Sequence, residues 1–239
     1  MSQIQTRFDL EISRLRLEQQ TEENKATLLQ AKHDLREAKV AETEYPGSFK
    51  SFRDRLRGRQ EAAETALRHA VQQAETALSA AQRQKEVLDA RLTEVTGQLS
   101  ALPDWEALRD GSREWYRLDA LLSMEKLLPL LEVCLELLTQ RRNQFNGTNA
   151  GQLKTRQDLA DIYSAPEAAG EDCKVILLGL QSALDALEIP FQLPSFFEAP
   201  TAFLSSATQY TRMDRVNTAM DQAQVLLNRL PSLQKQLSE

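Results

Sequence analysis

The sequence is short of residues that interrupt helices. Its 239 residues contain eight prolines and eight glycines, below the roughly 5% and 7% of ordinary usage. Pro46 is the only proline among the first 102 residues; the other seven begin at Pro103. A sheet protein needs turn signals about every 8–12 residues, and this chain cannot supply them. Two cysteines, Cys134 and Cys173, are too few for a disulfide scaffold. Each lies in an apolar run, so both are expected as buried thiols of a reducing compartment. The two histidines, His33 and His69, have no Glu three residues before them, so the Glu-x-x-His metal pattern of helical bundles is absent. No Gly-rich phosphate loop, Cys-x-x-Cys or Gly-x-Ser-x-Gly occurs. No catalytic residue, cofactor or metal ligand is therefore assigned, and a non-enzymatic protein is expected. The longest strongly apolar stretch, residues 127–134, contains Pro129 and Glu132. It falls short of the roughly 20 residues of a spanning helix. The first residues lack the apolar centre of a signal peptide, and a soluble, cytoplasmic protein is the expectation.

Charge is unevenly placed. Residues 1–102 carry 16 of the 29 Lys/Arg and 16 of the 35 Asp/Glu, so the net −6 lies in residues 103–239. An acidic second half argues against general nucleic-acid binding, which requires a basic surface to replace phosphate counterions.

What is present is helical periodicity. Ile4, Phe8, Ile12 and Leu15, then Leu28, Ala31, Leu35 and Ala38, fall in steps of three and four. A polar interval, residues 18–25, separates the two groups. Residues 51–101 repeat every seven. One position reads Leu67, Ala74, Ala81, Leu88, Val95, Leu102; the other reads Leu56, Ala63, Ala70, Ala77, Gln84, Arg91, Gln98. Such heptads call for a partner helix. Tyr45-Pro46-Gly47 divides the two stretches, which predicts an antiparallel coiled-coil hairpin over residues 1–102, with its turn at about 45–50. A turn centred on Gly47-Ser48 sets Phe8 opposite Leu88, Leu15 opposite Ala81, and Leu35 opposite Ala62 or Ala63. The arms would form a rod of roughly 65–75 Å. Val71, Leu78, Leu92 and Leu99 lie beside the main stripe; a rod this narrow could be stabilised by homo-oligomerisation along them or by anchoring to the domain at its base.

Residues 103–239 read as a four- to five-helix bundle from which the hairpin projects, giving an all-α protein. Helices are expected over 112–145, 152–164, 171–188 and from Pro200 onward. Pro129 should kink or split the first. Ser164-Ala165-Pro166-Glu167 has capping-box spacing, and Pro231 should stop the last. Residues 146–151 read as a loop.

Two places are candidate interaction sites. The first is the hairpin tip: Tyr45, Phe49, Lys50, Phe52, Arg53, Arg55, Arg57 and Arg59, five cations around three aromatics with only Asp54 opposing them. Its structural reading, the preferred one, has the aromatics closing the turn and the arginines pairing with Glu42, Glu44 and Glu61. Its functional reading is a docking tip. The second is the apolar loop carrying Phe191, Leu193, Phe196 and Phe197, which is expected to pack onto the bundle and alternatively to form an exposed patch. The leading functional expectation is a scaffold or adaptor that binds a protein partner through the tip. The alternative is peripheral binding to anionic membrane or nucleic acid, and an enzyme with a site in the bundle is a distant third.

Overall fold

The computed structural model describes residues 2–146, 156–205 and 212–238. Among them the regular structure is helical, with no strand. The elements are α1 (Gln3–Glu44), a 3-10 turn (Tyr45–Gly47), α2 (Phe49–Leu56), α3 (Gln60–Ser100), a second 3-10 turn (Glu106–Leu108), α4 (Arg113–Asn146), α5 (Arg156–Ala186), α6 (Ser195–Glu198), α7 (Pro200–Ser205) and α8 (Arg212–Ser238). The expected coiled-coil hairpin and helical bundle are both present. The chain divides into two compact units: Ser13–Leu102, and Met1–Ile12 together with Pro103–Glu239.

In the first unit α1 pairs with α3. On α3 the expected stripe faces inward: Ala81 and Leu88 are buried, and Leu67, Ala74 and Val95 are half-buried, as is Leu102 just past its end. The second expected stripe does not, apart from half-buried Ala63. Ala70, Ala77, Gln84, Arg91 and Gln98 are exposed, and their place is taken by Val71, Leu78, Leu92 and buried Leu99. The residues weighed for oligomerisation therefore complete the hairpin's own seam. On α1 the seam runs through Thr21, Asn24, Leu28, Ala31, Leu35 and Ala38 and ends at Tyr45 in the turn, all buried or half-buried. It crosses the polar interval because small or hydrogen-bonding side chains suffice there. The Asn24 side-chain amide donates to the Ala81 carbonyl at 3.2 Å.

That bond also corrects the register: Ala81 faces Asn24, not Leu15. The discrepancy arises at the tip. Helix α3 does not begin at residue 51; a separate helix, α2, and a turn at Arg57 to Arg59 come first. More residues belong to the tip than a turn at Gly47-Ser48 allows, so every pairing slides along α1.

In the second unit Ser112 caps α4, its hydroxyl accepting from the Trp115 N–H at 3.0 Å. Helix α4 packs against both α5 and α8, while α6 and α7 touch α5 and α8. Leu127, Leu131, Cys134, Leu138, Cys173, Leu177, Leu180 and Leu184 are fully buried along the α4–α5 contact side. Each such leucine contributes about 1.5–3 kcal/mol. The two thiols stand against each other; the hydrogen bond to Cys134, followed by burial, pushes the Cys173 thiol well above its ordinary range. A buried ion pair joins the same two helices, Arg141 Nη1 to Glu167 Oε1 at 2.5 Å.

Pro129 does not split its helix and Pro231 does not stop the last one. Pro129, Pro166 and Pro231 lie inside α4, α5 and α8. An interior proline costs about 3 kcal/mol, but each helix is held on both sides of it. Leu127 and Leu131 are buried around Pro129, and Leu230 and Leu233 around Pro231, while Pro166 is itself fully buried. The expected capping box at Ser164 is thus mid-helix, and residues 171–188 continue the helix that precedes them. Pro200 opens α7 as expected; the continuity of that helix across 206–211, the loop over 147–151 and the helix start at 152 lie outside the described residues.

Ile4, Phe8 and Ile12 of the N-terminal stripe belong to this second unit. Phe8 meets Trp105, ring centroids 6.5 Å apart. Trp105 stacks on buried Trp115 at 5.9 Å, and the Arg109 guanidinium lies 5.2 Å from the Trp115 ring. The Trp105 indole N–H donates to Asp119 at 2.7 Å; burial nevertheless raises the Asp119 pKa. The apolar residues of α1 thus form two stripes serving two units, which is why they looked like one interrupted seam.

Candidate functional site

The tip is built from its own short-range bonds. Ser48 caps α2: its Oγ accepts from the Ser51 N–H at 3.1 Å and its hydroxyl donates to the Tyr45 carbonyl at 2.7 Å. The other end of α2 closes as a Schellman motif. The Arg59 N–H donates to the Asp54 carbonyl (2.8 Å) and the Gly58 N–H to the Arg55 carbonyl (3.1 Å), with Gly58 at φ +65°. Glycine enters this left-handed region without the penalty a Cβ brings. Tyr45 is buried at the foot of the turn, and its hydroxyl donates to Asp54 Oδ2 at 3.0 Å. Burial, then the bond to Asp54, raises its pKa.

Helix α2 rests on Ser51, which is buried, and turns its apolar side outward. Phe49, Phe52 and Leu56 are 80%, 58% and 73% exposed. Their spacing of three and four puts them on one face, where the Phe49 and Phe52 rings lie 6.5 Å apart. Of the aromatics expected to close the turn, only Tyr45 does so. Lys50, Arg53, Arg55, Arg57 and Arg59 are also exposed. Among the described residues none of the five forms an ion pair, so the expected pairing with Glu42, Glu44 and Glu61 is absent. Arg55 donates instead to Gln60 Oε1 at 2.9 Å. Arg53 and Arg55 stand in the last turn of α2, where cations complement the helix dipole rather than oppose it.

Two members of this surface escaped sequence reading. Leu56 was assigned to the seam because it lies seven residues before Ala63; it belongs to the exposed face. Gly58, between two arginines, was the available sign of a second break.

The apolar loop proves structural. Phe191, Leu193, Phe196 and Phe197 are buried in the bundle core, so the exposed-patch alternative is overturned. Helix α8 holds the loop: Gln222 Oε1 accepts from the Phe196 N–H at 2.8 Å, and Arg229 donates to the Pro190 carbonyl at 2.9 Å. Elsewhere the hairpin carries shallow depressions, one bordered by Lys32, Leu35, Arg36, Lys39 and Val40, another by Gly58, Glu61, Thr65 and His69. His33 and His69 are exposed. Among the described residues no group of His, Cys, Asp and Glu is arranged to hold a metal ion, and no helix is long and apolar enough to cross a membrane. No family model, curated protein or solved structure matches the chain.

Proposed function

We propose that the protein is a non-enzymatic adaptor whose docking element is the hairpin tip. One observation carries this reading: α2 presents Phe49, Phe52 and Leu56 to solvent beside five exposed cations, none of which is ion-paired among the described residues. A helix that serves only to close a turn would bury its apolar side. Here Tyr45, Ser48, Ser51 and Gly58 close the turn, and the outward face contributes nothing to it. Exposed contiguous apolar groups mark interaction surfaces, and aromatic and arginine side chains are the usual anchors of such surfaces.

The test is site-specific cross-linking in the native cell extract. A photo-reactive residue at Phe49 should yield adducts; the same residue at exposed Val87 on α3 should not. Equal adduct patterns at the two positions would refute the tip as the docking element.

A further inference from the structure

We infer that the surface the tip docks onto is an anionic lipid bilayer. The inference rests on the tip being the docking element and names its partner. Three features of α2 argue for lipid over a folded protein. First, the apolar trio stands exposed side by side on one face of α2, a continuous apolar strip of the kind that inserts into a bilayer surface. Second, the cations do not sit on one flank. Lys50 and Arg53 lie on α2 and Arg57 and Arg59 follow its last turn, so they border the trio at both ends. A bilayer offers phosphates on every side of an inserted side chain, whereas a protein groove pairs with the flanks it meets. Third, the apolar side chains are two phenylalanines and a leucine, the composition of interfacial helices, which lie about 5–10 Å deep at the headgroup boundary.

Charge complementarity points the same way. The tip is locally basic within a chain of net charge −6. An anionic bilayer attracts the tip and repels the acidic remainder, which selects the tip as the contacting part. Nucleic acid is a poorer match. Eight residues of α2 span about 12 Å, too short to track a phosphate backbone, and Leu56 offers bases no ring to stack on.

The closing experiment is co-sedimentation of the full chain with vesicles. One set is phosphatidylcholine alone, and the other contains about 30 mol% phosphatidylserine. Expected is binding to the anionic set at low salt, lost at high salt and weaker by about tenfold or more on the neutral set. Two variants separate the contributions. Phe49→Ser with Phe52→Ser and Leu56→Ser removes insertion, and Lys50→Glu with Arg53→Glu and Arg57→Glu reverses the charge. Each should lower binding about tenfold or more, while Leu29→Ser, at an exposed leucine of α1, should bind as the parent. All substituted side chains are exposed, and circular dichroism verifies that the helices persist. Absence of binding to the anionic vesicles overturns the inference, as does binding that survives either tip variant, or tighter binding to an oligonucleotide. If vesicles fail while Phe49 cross-links to a protein, the bilayer falls and the docking tip stands. If both fail, both readings fall.

Discussion

The Tyr45 hydroxyl donates a 3.0 Å hydrogen bond to Asp54 Oδ2, joining the residue that follows α1 to the middle of α2. This bond spans the turn and holds α2 where Phe49 and Phe52 stay exposed. It also makes the tip sensitive to alkali. Burial first, then Asp54, raises the phenol pKa from its ordinary 10.0. A raised folded-state pKa gives stability that is complete below the unfolded value and lost as pH rises through the folded one. The tip should therefore loosen only above pH 10.0. Tyr45→Phe should lower the melting temperature at neutral pH and flatten the alkaline decline. A variant with the parent's full alkaline decline would rule out Tyr45 as its source.

The ends of α2 and α5 share a motif but not a residue. Both close with paired Schellman bonds, at Gly58 and at Glu188, which has φ +61°. A side chain in this region is disfavoured by roughly 1–2 kcal/mol. Gly58→Ala should destabilise the hairpin by about 1 kcal/mol, and Glu188→Gly should stabilise the bundle by up to about 1 kcal/mol. Urea denaturation followed by circular dichroism measures both. Shifts of the same sign would defeat the backbone explanation.

Two glycines of α5 should respond oppositely to alanine. A Cβ at Gly170 would lie 2.7 Å from Pro200 Cβ and 2.9 Å from Phe196 Cζ, whereas nothing stands within 4 Å of Gly179. Alanine improves helix propensity at either place by roughly 0.5–1 kcal/mol. At Gly170 it must also displace a proline ring and a buried phenylalanine, and overpacking costs about 1–3 kcal/mol. Gly179→Ala should raise the denaturation midpoint and Gly170→Ala should lower it. A stabilising Gly170→Ala would mean that α7 yields freely.

The fold class was legible because periodicity is local. The stripe Leu67, Ala74, Ala81, Leu88 needs no knowledge of the rest of the chain to place it on one face of a helix. Register is different: it depends on how many residues the tip consumes, and Gly58 alone signalled that α2 and α3 are separate. Periodicity also cannot say what a stripe faces. Phe8 looked like part of the hairpin seam and in fact meets Trp105. Propensity overstated the break at Pro129, which does not split α4, and at Pro231, which does not end α8; buried leucines on either side hold both helices. At the candidate site the residue types were legible and their orientation was not. Exposure of Phe49 and Phe52 depends on Ser51 being the side on which α2 rests, and no spacing rule reveals that.

The bonds that cap α2 and close its turns run within residues 45–59: Tyr45 to Asp54, Ser48 to Tyr45 and Ser51, Arg59 to Asp54. The arms contribute only two helix ends to join. The segment is therefore a portable cap. Its geometry is indifferent to arm length, so matched heptads gained or lost from α1 and α3 would change how far the cap is carried while leaving its shape untouched.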